Sequence, residues 1–382
     1  MKKNGAKKHI WKIHFPVSLM FLKKYFSANK ILRRSVLVLT AFSLIFVLWF
    51  LNYSFSSIDR KNLTIDVEIP TGSSFLESTQ ILNKAGLVKN RFFFVCLATI
   101  RGAWRHIRAG EYEIHTQFTP WTMINKLVRG EIKQYKVSIP EDLSVREIAE
   151  ILDQNKLINK ETFFKLAQDR EFLKSLKIDA ESIEGYLFPE TYFFNRSMNT
   201  RSIMKKMVDT FWEKVPSAMI EQANAKGFDL NQFITFASLI GKESGYKSEK
   251  SLIAAVFYNR MKKGMRLQSD PTAVYDLDHF EGKVLRSHLK RNSPYNTYLI
   301  KGLPPGPIAN PGLDSFNAVL HPEAAHYLYF VSKKDGTHHF SSSLAEHNQA
   351  VNKYIYLKNE QIQQLKEDEQ QIRSVESLGE KD

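Results

Sequence analysis

Hydrophobic and polar positions fall into distinct patterns along the chain. From Ser35 to Ile58, 24 consecutive residues carry no charge, and fourteen of the sixteen from Val36 to Leu51 are apolar. As a helix this stretch is about 36 Å long, enough for about 30 Å of bilayer hydrocarbon. A second pattern repeats at an offset of 70: Val67/Val137, Ile69/Ile139, Pro70/Pro140, Ser74/Ser144, Glu77/Glu147, Ile81/Ile151, Leu82/Leu152 and Leu87/Leu157. In each copy a Val-x-Ile alternation ended by proline predicts a strand. Serine with glutamate three residues on predicts a capping box opening an amphipathic helix. Between the copies, the run from Arg108 to Ile114 reads as a turn into a strand. Thr119-Pro120 opens a helix with Met123, Ile124 and Leu127 on its apolar face, and Gly130 ends it.

Helical spacing returns at Asn231, with Phe236, Leu239 and Ile240 seven, four and three residues before Glu243. A further helix is predicted over Leu252–Lys263, stopped by Gly264. Tyr327–Ser332 and Thr337–Ser341 read as a hairpin about Lys334-Asp335-Gly336. Ser343 with Glu346 is a third capping box, and His347 follows on that helix. The fold class expected is α+β: one N-terminal transmembrane helix, strand–helix modules, then an α+β catalytic domain.

Charge sharpens the first pattern. The 382 residues carry 54 Lys+Arg against 40 Asp+Glu, a formal net charge of +14. Ten of the basic residues lie in the first 34 positions, and the first acid is Asp59, so the other 348 residues hold a net charge of only +4. The basic excess is thus a topological label and not a nucleic-acid surface. It predicts a cytoplasmic N-terminus, with Trp49 and Tyr53 at the far interface. A cleaved signal peptide fits less well, because the basic region is long and no small-x-small site follows. The weaker apolar patch from Trp11 to Leu22 is too short to span and is expected on the membrane surface. A single cysteine, Cys96, excludes an intramolecular disulfide framework and a thiolate zinc site. His338, His339 and His347 lack metal-ligand spacing, and no phosphate-binding or nucleophile-elbow motif occurs. No metal, cofactor or nucleic acid is expected.

Candidate chemistry centres on Glu243. A lone carboxylate on an apolar stripe is costly to ionise, and desolvation raises its pKa toward the range of a general acid. The competing reading is a frayed helix end with Glu243 in water. Downstream come the polar run from Arg266 to Thr272 and the ring-and-amide run from Ser293 to Tyr298, which suits sugar faces and hydroxyls. Between Gly302 and Gly312, three Gly and four Pro in eleven residues forbid helix or interior strand. Each run alone also reads as ordinary turn chemistry. The duplicated modules resemble LysM-type carbohydrate-binding units; a spacer that binds no sugar is the alternative.

Taken in order, these runs resemble the YceG-like family, the MltG endolytic murein transglycosylases. The matching elements are Ile183-Glu184-Gly185-Tyr186-Leu187-Phe188-Pro189-Glu190-Thr191-Tyr192, Ala237 through Glu243, Val256-Phe257-Tyr258-Asn259-Arg260, Leu267-Gln268-Ser269-Asp270-Pro271-Thr272, Tyr295-Asn296-Thr297-Tyr298, the Gly/Pro loop, and Tyr327–Val331 with Glu346-His347. The resemblance covers roughly residues 60–358 and implies a lyase. It would cleave the MurNAc–GlcNAc bond within nascent peptidoglycan strands, leave a 1,6-anhydro-MurNAc end and limit strand elongation. The family's catalytic glutamate matches Glu243. A second glutamate that the family commonly carries two residues earlier is Gly241 here. Glu184, Gln268, Asp270, Tyr295, Asn296, Asn310 and His347 are expected to position substrate. The implied partners are glycan strands, the bilayer through the N-terminal helix, and peptidoglycan synthases. The implied place is the bacterial inner (cytoplasmic) membrane, single-pass, with the catalytic domain outside. Expected boundaries are a basic cytoplasmic segment 1–34, a transmembrane helix 35–58, a duplicated LysM-like region 59–175, a catalytic domain 176–358 and a polar tail 359–382. A muramidase-type hydrolase and a non-catalytic glycan-binding scaffold remain the alternatives.

Overall fold

The computed structural model describes residues 30–59, 61–103 and 107–356. Most of the basic segment, the patch from Trp11 to Leu22 and the polar tail lie outside these residues. Two compact units meet between Lys133 and Gln134.

The first unit begins with helix α1 (Lys30–Phe55), 26 residues and thus about 39 Å long. Among the described residues it is the one helix long and apolar enough to cross a membrane. Strand β1 (Thr64–Ile69) follows, then α2 (Phe75–Lys84), α3 (Arg91–Ile100), β2 (Gly110–His115) and α4 (Pro120–Arg129). β1 and β2 pair antiparallel with Val67 opposite Tyr112. The capping box forms as the sequence predicts: the Ser74 side chain accepts from the Glu77 backbone, and Glu77 accepts the Ser74 N–H at 2.7 Å. Val67, Ile69, Leu82, Phe94, Leu97, Tyr112, Met123 and Leu127 are among the residues that form this unit's core.

The second unit contains β3 (Tyr135–Ser138), α5 (Val145–Gln154), α6 (Lys160–Ala167), α7 (Arg170–Ser175), β4 (Thr191–Phe194), α8 (Thr200–Lys214), α9 (Ser217–Ala225), α10 (Leu230–Glu243), α11 (Lys247–Lys262), α12 (Arg286–Leu289), α13 (Leu313–Leu320), β5 (Tyr329–Ser332), β6 (His338–Ser341) and α14 (Leu344–Val351). β3 pairs antiparallel with β4, and β5 with β6. The second copy of the repeat thus closes its sheet with a strand well beyond it in sequence. Val137 faces Tyr192 just as Val67 faces Tyr112. Each of these tyrosines donates its hydroxyl to the carbonyl four residues earlier, Tyr112 to Arg108 at 2.7 Å and Tyr192 to Phe188 at 2.6 Å. Both copies are therefore strand–helix–helix–strand units, the second with the short α7 added.

The boundary expected at residue 175 does not match this division. Val137, Ile148 and Leu152 share one core with Phe211, Phe236 and Phe257, so the second copy is part of the larger unit. At its centre, α10 is buried on nearly every face. Phe233 packs on Phe316 with ring centroids 5.1 Å apart, and Phe236 on Tyr258 at 5.0 Å. Burying rings of this size favours folding by about 2–3 kcal/mol each. This packing holds the end of α10 in place.

Candidate active site

Glu243 is the last helical residue of α10; Ser244 behind it is extended. The apolar stripe fixes the helix, so the carboxylate is presented from a rigid end. It is partly exposed yet closely surrounded. Ser269 donates its hydroxyl to Glu243 Oε1 in a short hydrogen bond. Burial lifts the Glu243 carboxyl to about 7, with the nearby Asp270 charge adding to the rise; the Ser269 bond and the Arg260 charge oppose it. Near neutral pH this group is partly protonated, as a general acid must be.

Ser269 is itself held firmly. Its N–H donates to Thr297 Oγ1 at 2.9 Å, and Thr272 donates to its carbonyl at 2.6 Å. Thr272 and Thr297 hydroxyls lie 2.8 Å apart, so two buried threonines fix the segment that bears Ser269. Asp270 points outward and accepts from the Tyr298 hydroxyl at 2.6 Å. Arg260, 7 % exposed, spans the back of the site, donating to the Leu328 and Leu267 carbonyls at 2.6 Å each. Its guanidinium lies 5.3 Å from the Tyr329 ring centroid, and His347 stacks on the other partner of that pair, Tyr329, at 5.1 Å. Burial first, then the charge of Arg260, pushes the His347 pKa down.

A cleft of about 470 Å³ lies next to the site, lined by chain neighbours of Glu243 and Ser269 and not by those two residues themselves. Lys242, the residue before Glu243, and Asp270, the residue after Ser269, both line it, with Arg146, Tyr275 and Phe280 among the others. Its charged rim is internally paired: Lys242 meets Glu147 at 3.3 Å and Arg146 meets Asp278 at 3.6 Å.

The residues expected to position substrate separate into two groups. Asp270 and His347 join the Glu243 cluster. Gln268 is exposed, in a left-handed conformation at φ 50° that turns the chain into Ser269. Tyr295 is half-buried, its ring 4.8 Å from that of Tyr275. The other three are engaged within the protein. Asn296 is fully buried and donates to the carbonyls of His288, Leu289 and Arg291, bracing the turn around α12. Asn310, 1 % exposed, donates to Leu143 and Glu184 and accepts from the Leu187 N–H. Glu184 takes the Val145 N–H, the Tyr275 hydroxyl and Asn310, and burial pushes its carboxyl up to about 7. These are joints between loops. Gly185 beside Glu184 has φ 89°, and a Cβ there would meet Ile234 Cγ2 at 2.4 Å, so only glycine lets this loop touch α10.

Gly241 has an equally direct cause. A Cβ there would lie 1.8 Å from Asp142 Oδ1. The space beside α10 is filled by the carboxylate of Asp142, held by the buried Lys250 at 3.4 Å. Lys250 also meets Glu141 at 3.1 Å and Ser315 at 2.9 Å. Burial raises the Asp142 carboxyl to about 6 against the pull of Lys250.

Sequence reasoning passed over Ser269, Arg260, Tyr298, Thr272 and Thr297. All five lie in the runs that carry the resemblance, but a hydroxyl or guanidinium within a turn does not reveal its partner. The histidines also disperse: His338 bonds Glu249 at 2.8 Å and His339 lies against Tyr354 at 5.7 Å.

The model of the YceG-like family matches residues 67–353. An endolytic murein transglycosylase of Bacillus subtilis is 36 % identical over 324 residues, covering 78 % of this chain and 86 % of its own. One from Streptococcus pneumoniae is 27 % identical over 325 residues, covering 76 % and 58 % respectively. A solved structure of a yceG-like protein from Listeria monocytogenes superposes with a TM-score of 0.53 at 32 % identity, covering 76 % of this chain and all of that one.

Proposed function

The chain belongs to the YceG-like family, and from that premise we propose that it is a membrane-anchored endolytic peptidoglycan transglycosylase, a lyase acting within glycan strands. The observation that carries this reading is a carboxyl raised to about 7 at a rigid helix end, beside a cleft of about 470 Å³. The transglycosylase names of the relatives agree with it.

In the proposed reaction, protonated Glu243 donates to the glycosidic oxygen between MurNAc and GlcNAc. The C1–O bond breaks through an oxocarbenium-like state. The ionised Glu243 then takes the proton of the MurNAc C6 hydroxyl as that oxygen bonds C1, closing the 1,6-anhydro ring. One carboxyl serves as acid and then as base, and it ends protonated. Ser269 orients Glu243 in both states, because a hydroxyl can donate to the carboxylate or accept from the acid. Asp270 and Tyr298 form a polar rim for sugar hydroxyls, with Gln268 and Tyr295 alongside. Glu184, Asn296 and Asn310 act by holding the walls.

The apolar α1 is the anchor, with the basic N-terminus in the cytoplasm and the catalytic unit outside the inner membrane. The two strand–helix–helix–strand units, alike in capping box and tyrosine bond, are LysM-like glycan-holding modules. Peptidoglycan synthases, which supply nascent strands, are the partners such an anchored enzyme would serve.

Digestion of purified sacculi followed by mass analysis of the fragment ends tests the reaction. 1,6-Anhydro ends are expected. Reducing ends would replace the lyase with a hydrolase, and an absence of fragments would leave a binding scaffold.

A further inference from the structure

The first unit carries an apolar feature that glycan cleavage does not use. Helix α3 opens with Arg91-Phe92-Phe93. Phe93 is buried against α1, its ring 5.6 Å from Phe46, 5.1 Å from Trp49, 5.7 Å from Phe50 and 5.5 Å from Tyr53. Phe92 next to it is 63 % exposed. One level along, the Tyr53 hydroxyl donates to the Asn90 carbonyl at 3.1 Å, so Lys89 and Arg91, both exposed, flank the point where α3 meets Tyr53.

The length of α1 decides what surrounds Phe92. Suppose the bilayer ended before Phe46, leaving the α3 contact in water. The uncharged run remaining, Ser35 to Ile45, is eleven residues, or about 16 Å, half of what a span needs. A spanning α1 must therefore carry Phe46 to Phe50 within the outer half of the hydrocarbon. Phe93, packed on both, lies there too.

We propose that the segment leading into α3, Lys89 to Phe93, is a second membrane contact, with Phe92 in the acyl chains of the outer leaflet and Lys89 and Arg91 at the phosphates of the lipid headgroups. This rests on the reading of α1 as a bilayer-spanning anchor. The partner is phospholipid of the membrane that α1 crosses. The charge order fits it: aromatic rings at the depth of Phe46 to Phe50, basic side chains at the depth of Tyr53, where headgroups lie. The first unit then rides against the membrane and does not swing on a tether.

Site-directed nitroxide labels on the full chain, reconstituted in mixed phosphatidylcholine–phosphatidylglycerol bilayers, test this. With Cys96 replaced by serine, labels are placed at Phe42→Cys, Phe92→Cys and the exposed Lys226→Cys, and collision with oxygen is compared with collision with a water-soluble nickel chelate. The expected result is a label at 92 that is oxygen-rich and shielded from nickel, shallower than 42 and unlike 226. A label at 42 in lipid with 92 as open to nickel as 226 would overturn the proposal and leave the anchor standing. Nickel access at 42 would overturn the anchor, and the proposal with it.

Discussion

At the residue scale, the account turns on the proton of Glu243. A carboxyl raised to about 7 is protonated below that pH, so kcat/KM should fall along a limb centred near pH 7 as pH rises. Two substitutions should move this limb in opposite directions. Ser269→Ala removes the donor that favours the ionised form and shifts the limb to higher pH. Asp270→Asn removes a neighbouring negative charge and shifts it to lower pH. A pH profile of each variant checks both signs, and equal shifts in one direction would refute the assigned environment. The same linkage bears on stability. The folded state holds this proton more tightly than the unfolded chain, whose carboxyl titrates at 4.5. The stability it contributes is full below 4.5 and is lost as pH rises through about 7. Glu243 itself was legible in the sequence because an apolar stripe leads to it. That Asn296, Asn310 and Glu184 are bonded within the protein was not legible, because residue type does not say which way a polar group points. Buried backbone groups in these loops need partners, and these side chains supply them.

At the element scale, the capping boxes at Ser74, Ser144 and Ser343 and the end of α4 at Gly130 were readable from short-range spacing, because their partners lie within four residues. Ser144→Ala should cost about 1 kcal/mol, since it removes the acceptor for the Glu147 N–H at the start of α5. Urea denaturation reads this directly. The pairing of β3 with β4 was not readable, for more than fifty residues separate Ser138 from Thr191 and the intervening helices carry no trace of it. Nothing in the local sequence explains Gly241; its reason is Asp142, whose carboxylate fills the space that a Cβ would take. Gly241→Ala forces a methyl onto that carboxylate, and overpacking of this kind costs about 1–3 kcal/mol. Lys250→Met leaves Glu141 and Asp142 without their buried cation and should cost about 3–5 kcal/mol. Thermal unfolding distinguishes the two by size. An unchanged Tm in the lysine variant would show that the cluster contributes nothing to the fold.

At the scale of the whole molecule, the charge excess and the uncharged run near the N-terminus are consistent with the proposed membrane anchor. The division at Lys133/Gln134 assigns the second repeat copy to the unit that carries Glu243. Its α5 supplies Arg146 and Glu147 to the cleft wall, so a module legible as a repeat also builds part of the cleft. The central claim is that Glu243 is the acid that breaks the glycan. Its most direct test is Glu243→Gln, assayed on purified sacculi with mass analysis of the fragment ends. Because the folded state favours the neutral form, the variant should match the parent in Tm. It should lose 1,6-anhydro product by at least about 100-fold, the typical contribution of a general acid. A folded Glu243→Gln enzyme that releases anhydro ends at the parental rate would contradict the assignment.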